Sequence, residues 1–213
     1  MAILFAAGTE SIRTSASFAE LSTATVMYWV RFATLPSNSR IVGTDTNWES
    51  RLAGTDLLHE YRQNAVPNST TVFTTATWYH LAFAFDGTNK AVWVDASPDP
   101  ALGAYTHNAA GTDTALAVGT STWSQSQGMN GTLEDLRIYN RVLSTREVQE
   151  VFNGNGRDGL INGLQHWWTL NNGAENTVVT LEPDMMNAKI NLSTIVGSPI
   201  YVKSPREFLG RAA

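Results

Sequence analysis

Apolar residues recur at every second position in run after run of this chain. Val26, Tyr28, Val30 and Phe32 fall on one side, with Met27, Trp29 and Arg31 between them. Tyr79, Leu81, Phe83 and Phe85 alternate with His80, Ala82 and Ala84. Val92 and Val94 alternate with Ala91, Trp93 and Asp95, and Leu136 and Ile138 with Asp135, Arg137 and Tyr139. Side chains on a strand point alternately to its two faces, so a period of two in β-branched and aromatic residues predicts strands with one face in a core. Turn signals separate the runs: Leu35-Pro-Ser-Asn-Ser, Pro67-Asn-Ser, Ser97-Pro-Asp-Pro, Asn153-Gly-Asn-Gly and Asn171-Asn-Gly. Asp86-Gly87-Thr88-Asn89 joins two alternating runs and predicts a hairpin whose glycine takes a positive φ. Many short strands at this spacing imply an all-β sandwich, jelly roll or barrel.

One helix is expected. Ser144 and Glu147 have capping-box spacing, and Val148, Val151 and Phe152 follow as an i, i+3, i+4 stripe. Gly154 then ends it, which bounds the helix at 145–153. Strand-like writing resumes at Gln165-His-Trp-Trp-Thr-Leu170, Ser193-Thr-Ile-Val196 and Ile200-Tyr-Val.

Composition narrows the function classes. Apolar residues make up 43% of the 213 and charged residues 15%, too apolar for disorder and too lightly charged for a coiled coil. The chain has no cysteine, which removes disulfide scaffolds, thiolate zinc sites and cysteine nucleophiles together. With a net charge of −5 and its Lys and Arg scattered singly, it carries no basic stripe for nucleic acid or an anionic membrane surface. No apolar stretch reaches the 18 residues of a membrane span. The start, Met1-Ala-Ile-Leu-Phe-Ala-Ala-Gly, lacks a basic n-region, so the expectation is a chain made and kept in a cytoplasm or released by lysis.

Two segments carry a resemblance. Trp78-Tyr-His-Leu-Ala-Phe-Ala-Phe-Asp-Gly87, closed by Val92-Trp-Val-Asp95, resembles the central hairpin of the laminin-G-like, concanavalin A-like jelly rolls. Gly131-Thr-Leu-Glu-Asp-Leu-Arg-Ile-Tyr-Asn-Arg-Val-Leu-Ser-Thr-Arg-Glu-Val148 resembles that family's late strand and following helix. Ile3-Leu-Phe, Ile12, Val26-Met-Tyr-Trp-Val-Arg-Phe and Ile41-Val-Gly43 match its opening strands, so the resemblance covers roughly 1–153. Gly163-Leu-Gln-His-Trp-Trp-Thr-Leu, Asp184, Asn187 and Val196-Gly-Ser-Pro-Ile-Tyr-Val resemble a segment that often precedes such domains. Here it follows. The expected organisation is a single jelly roll over 1–203, completed in permuted order by strands from 160–203, with 204–213 as a C-terminal arm. The rival is a partial second module, for which about 50 residues is a thin core.

The resemblance frames the candidate residues. Relatives of the glucanase branch carry a Glu-Xaa-Asp-Xaa-Xaa-Glu strand that is missing here, while the adjacent Glu134 and Asp135 point to opposite faces. His59, His80, His107 and His166 are dispersed, with no triad spacing, and His80 reads as a packed strand residue. The expectation is therefore a non-enzyme. Many relatives bind calcium, which makes Asp135 a candidate ligand for Ca2+. A hydrogen-bonding or ion-pairing role is favoured for it, because the early Phe-Asp-Gly of relatives is here Phe5-Ala-Ala-Gly8. Trp48, Tyr61 and Trp123 lie in turn-rich stretches and are candidate glycan-stacking or partner-contact rings. For each of them singly, packing in a core or an edge or against a partner subunit is the equal or slightly stronger expectation.

The functional expectation is a non-catalytic virion protein, a bacteriophage capsid decoration protein assembled in the host cytoplasm. It would bind the major capsid protein or another virion protein as a homo-oligomer, a homotrimer by preference. Its arm, with Arg206, Phe208 and Leu209, would dock on a neighbour. The alternative is a lectin-like adhesion module that binds a cell-surface glycan.

Overall fold

The computed structural model describes residues 1–6, 8–14, 22–44, 48–53, 56–60, 68–99, 115–120, 127–186 and 191–204. In chain order the strands are β1 (Ala2–Phe5), β2 (Ser11–Thr14), β3 (Ala24–Phe32), β4 (Ser39–Thr44) and β5 (Glu49–Ala53). Next come β6 (Asp56–Glu60), β7 (Asn68–Val72), β8 (Trp78–Phe85), β9 (Lys90–Val94) and β10 (Ser97–Asp99). β11 (Leu116–Val118) and β12 (Gly131–Tyr139) precede the helix α1 (Thr145–Gly154), and β13 (Leu164–Trp168), β14 (Leu192–Val196) and β15 (Ile200–Val202) follow it.

These strands form two antiparallel sheets, the jelly-roll sandwich that the resemblance implies and one of the architectures that the alternation allows. The first runs β10-β9-β8-β3-β12-β1-β15, with β13 beside β12, and the second runs β14-β2-β11-β4-β5-β6-β7. The predicted inward set is the core: Val26, Tyr28, Val30, Phe32, Leu81, Phe83 and Phe85 from one sheet meet Ile12, Val42, Leu52, Leu116 and Val118 from the other. Fully burying each such side chain stabilises the fold by about 1.5–3 kcal/mol.

The opposite face of the first sheet is not left to water. Met27, Ala82, Ala84, Trp93 and Tyr139 pack there against Val148 and Val151 of α1. Phe152 stacks on Trp29 at 5.3 Å. This is why His80, on the face that alternation assigns to solvent, is only 1% exposed. Its ring lies 5.1 Å from Trp29 and 5.6 Å from Phe152, a packing position.

Local chemistry fixes the joints. Phe85 pairs with Lys90 around the predicted hairpin, Gly87 takes φ 91°, and Asp86 Oδ1 accepts the Thr88 and Asn89 amides. Ser144 caps α1 in a complete capping box with Glu147. The helix runs one residue past the expected end, because Asn155 rather than Gly154 takes the left-handed conformation, at φ 51°. The chain after the helix enters both sheets: β13 pairs with β12, β14 with β2, and β15 with β1.

Candidate functional site

β12 serves two neighbours along one edge. Gly131–Leu133 pair with β1, and Leu136–Tyr139 pair with β13. The register breaks between Glu134 and Arg137, where Asp135 takes φ 56°. A bulge re-aims a side chain out of the strand's alternation. Asp135 and Arg137, two apart on the strand, share a face beside this bulge and pair there: Arg137 Nε donates to Asp135 Oδ1 at 3.0 Å and its Nη2 to Oδ2 at 3.2 Å. Arg137 Nη1 donates to both oxygens of Asp158 at 2.9 Å. Burial opposes the charge on Arg137, but the two carboxylates, Asp135 first, more than offset it and push its pKa up.

Trp167 completes the group. Its Nε1 donates to Asp135 Oδ1 at 2.7 Å, and the Arg137 guanidinium lies 4.6 Å from its ring centre. Its backbone is held too, its amide donating to Asp184 Oδ1 and its carbonyl accepting from Met185. Around this group opens a cleft of about 250 Å³ lined by Arg137, Trp167, Leu164 and the loop 156–161 that leaves α1. Asp158 ties that loop down, taking the Leu160 amide as well as Arg137. Gly156 and Gly159 hold φ values of 81° and 73°, and a Cβ on either would meet only open space. An aromatic wall, aliphatic Leu160 and Ile161, and the exposed Arg157 give the cleft an apolar side and a polar rim.

The residues singled out in the sequence fare differently. Trp48 is 5% exposed and is no surface ring. The Thr44 amide donates to the Trp48 carbonyl, and the indole packs edge-on against Phe83 at 5.6 Å. Tyr61, Trp123, Arg206, Phe208 and Leu209 lie outside the described residues. Asp135 does not fit a calcium cage: its oxygens accept from Arg137 and Trp167, and no group of three or more His, Asp or Glu able to hold a metal occurs among the described residues. Its ion-pairing role is the one observed.

Sequence reasoning missed Trp167 as a cleft residue. It also missed the pair His166–Asp184, whose Nδ1 and Oδ2 are 2.6 Å apart. Eighteen residues separate the two, so no spacing rule could join them. The available signal was the motif Gly163-Leu-Gln-His-Trp-Trp with its downstream Asp184, read only as strand and resemblance.

Comparison with known proteins concerns the fold. A candidate carbohydrate-binding protein from Bacteroides ovatus aligns over 95% of this chain with a TM-score of 0.67 at 18% identity. The match covers 61% of that protein, under two thirds of its length. The heptameric SAP-like pentraxin of Limulus polyphemus aligns over 90% of this chain and 94% of its own, with a TM-score of 0.62 at 14% identity. Domain 4 of an extracellular arabinanase from Geobacillus stearothermophilus, solved with arabinotriose, aligns over 70% of this chain and 75% of its own, with a TM-score of 0.58 at 21% identity. No curated protein matches the chain in sequence. The pattern that defines the concanavalin A-like lectin/glucanases superfamily matches residues 7–149, a span that starts after β1 and ends within α1. On that match, and on the sandwich it predicts, the chain belongs to the concanavalin A-like lectin/glucanases superfamily.

Proposed function

We propose that this chain is a non-catalytic carbohydrate-recognition module. The observation that carries the reading is the sandwich shared over 95% of the chain with the Bacteroides ovatus carbohydrate-binding candidate. The arabinanase domain solved with arabinotriose adds an instance of the fold beside a sugar. Engagement of four carboxylates in pairs with basic side chains supports binding without catalysis. Asp135 and Asp158 are bonded to Arg137, Glu49 to Arg40, and Asp184 to His166. A glycoside hydrolase needs two carboxyls facing each other across the scissile bond. A glycan array and a hydrolase screen on the full chain test this together. Retention of at least one glycan without turnover is expected; turnover, or silence across the array, overturns it.

The finer proposal is a homo-oligomer on a virus particle, a trimer by preference, seated on the major capsid protein and assembled in the host cytoplasm. Two observations favour it. The chain has no cysteine and so suits a reducing compartment. The pentraxin of the same fold is named as a heptamer, so this sandwich tolerates assembly into closed oligomers. Sedimentation with and without purified capsids checks it. A trimer that co-sediments with particles is expected, and a monomer that ignores them overturns it.

A further inference from the structure

We propose that the cleft between β13 and the loop leaving α1 is a pyranose-binding subsite, with Trp167 as its aromatic wall and Arg157 as its rim donor. The inference rests on the carbohydrate-recognition reading above and says where the sugar sits. A pyranose has an apolar C–H face and a hydroxyl edge, so its receptor needs a fixed ring beside a polar rim.

Trp167 is half-buried and locked. Its N–H is committed to Asp135 at 2.7 Å, and the Arg137 guanidinium lies over the indole, 4.6 Å from its ring centre. A ring held by its neighbours loses little freedom when a ligand stacks, and preorganisation of this kind is a main source of affinity. Arg137 cannot itself greet a ligand freely, because Asp135 and Asp158 engage its nitrogens. Arg157 can. It is exposed, and its side chain makes no hydrogen bond or ion pair among the described residues. A guanidinium offers five donors to hydroxyl oxygens.

The remaining wall fits the same ligand. Ile161 is 66% exposed at the rim, an aliphatic surface that a sugar's C–H face would cover. Gly156 and Gly159 leave open space where side chains would stand, so a ligand can approach the loop backbone. At about 250 Å³ the cleft is smaller than the roughly 300–1,000 Å³ of drug-sized pockets, room for one ring rather than a chain.

The test is titration of the 15N-labelled full chain with a panel of methyl pyranosides, following the Trp167 indole N–H resonance assigned through W167F. A saturable shift of that resonance by at least one pyranoside is expected. Arg157→Ala should weaken that binding at least threefold without moving the melting temperature, and Trp167→Ala should weaken it tenfold or more. If Trp167→Ala fails to fold, the indole shift and Arg157→Ala decide. Binding on the array or in the titration that leaves the indole still and ignores Arg157→Ala overturns the subsite while the carbohydrate reading stands. No binding by any array glycan or pyranoside overturns both.

Discussion

A guanidinium that is 2% exposed must be compensated on every side, and Arg137 is. Asp135 and Asp158 surround it, and Trp167 covers a face. Removing one partner of a buried ion pair leaves a charge out of water without compensation, at about 3–5 kcal/mol. Asp158→Ala should cost that much in chemical denaturation, and a loss under 1 kcal/mol would show that Asp135 alone suffices. Lys90 presents the opposite case. It is 4% exposed, and burial lowers its pKa from the usual 10.5 to about 8, with Asp99 opposing the shift. The unfolded chain therefore binds more protons than the native one between pH 8 and 10.5, so Lys90 makes stability rise with pH across that window. Lys90→Met should stabilise the fold at pH 7 by on the order of 2 kcal/mol and flatten that rise. Equal pH slopes for the two proteins would contradict the burial penalty. Single residues were the hardest thing to read in the sequence. Nothing in the letters around Trp48 distinguishes an indole shown to solvent from one packed onto Phe83.

At the level of elements, local pattern carried far. The alternation in β3, β8, β9 and β12 identified the inward residues correctly, because a pleated strand offers only two faces. The Ser144–Glu147 box gave the start of α1 to the residue. What alternation could not show is that α1 lies over the outer face of the first sheet and buries Met27, Ala82 and Trp93 there. A helix's partner is a tertiary fact, whereas its stripe is a local one. The cap is open to direct measurement. Arg141 and the Ser144 groups draw the Glu147 carboxyl down to about 2, so the box stays charged through ordinary acid conditions. Ser144→Ala should cost about 1 kcal/mol in denaturant midpoint experiments at pH 7. An unchanged midpoint would mean that packing on the sheet alone holds the first turn. The cleft belongs to this level as well. It exists only where the α1 exit loop, the β12 bulge and β13 meet, and each was read separately.

In the whole molecule the decisive fact is where the C-terminal strands go. β1 sits between β12 and β15, and β2 between β11 and β14. Trp168, Leu170, Val179, Leu192 and Tyr201 belong to the same core as Val26 and Phe83. At about 1.5–3 kcal/mol each, those five side chains are worth on the order of 10 kcal/mol, the scale of a whole domain's stability. A chain ending at Gly159 should therefore fail to fold, judged by circular dichroism and thermal melting. A cooperative transition in that truncation would mean that the first 159 residues hold a core of their own.

The same weave sets an order in time. β1 leaves the ribosome early, yet its partners stand at 131–133 and 200–202, and those of β2 stand at 117–118 and 192–196. At about 5–20 residues per second, the opening strands wait roughly 10–40 s for their last neighbours. Their unpaired edges stay open to foreign chains throughout that delay. The sandwich closes from its last strands back onto its first.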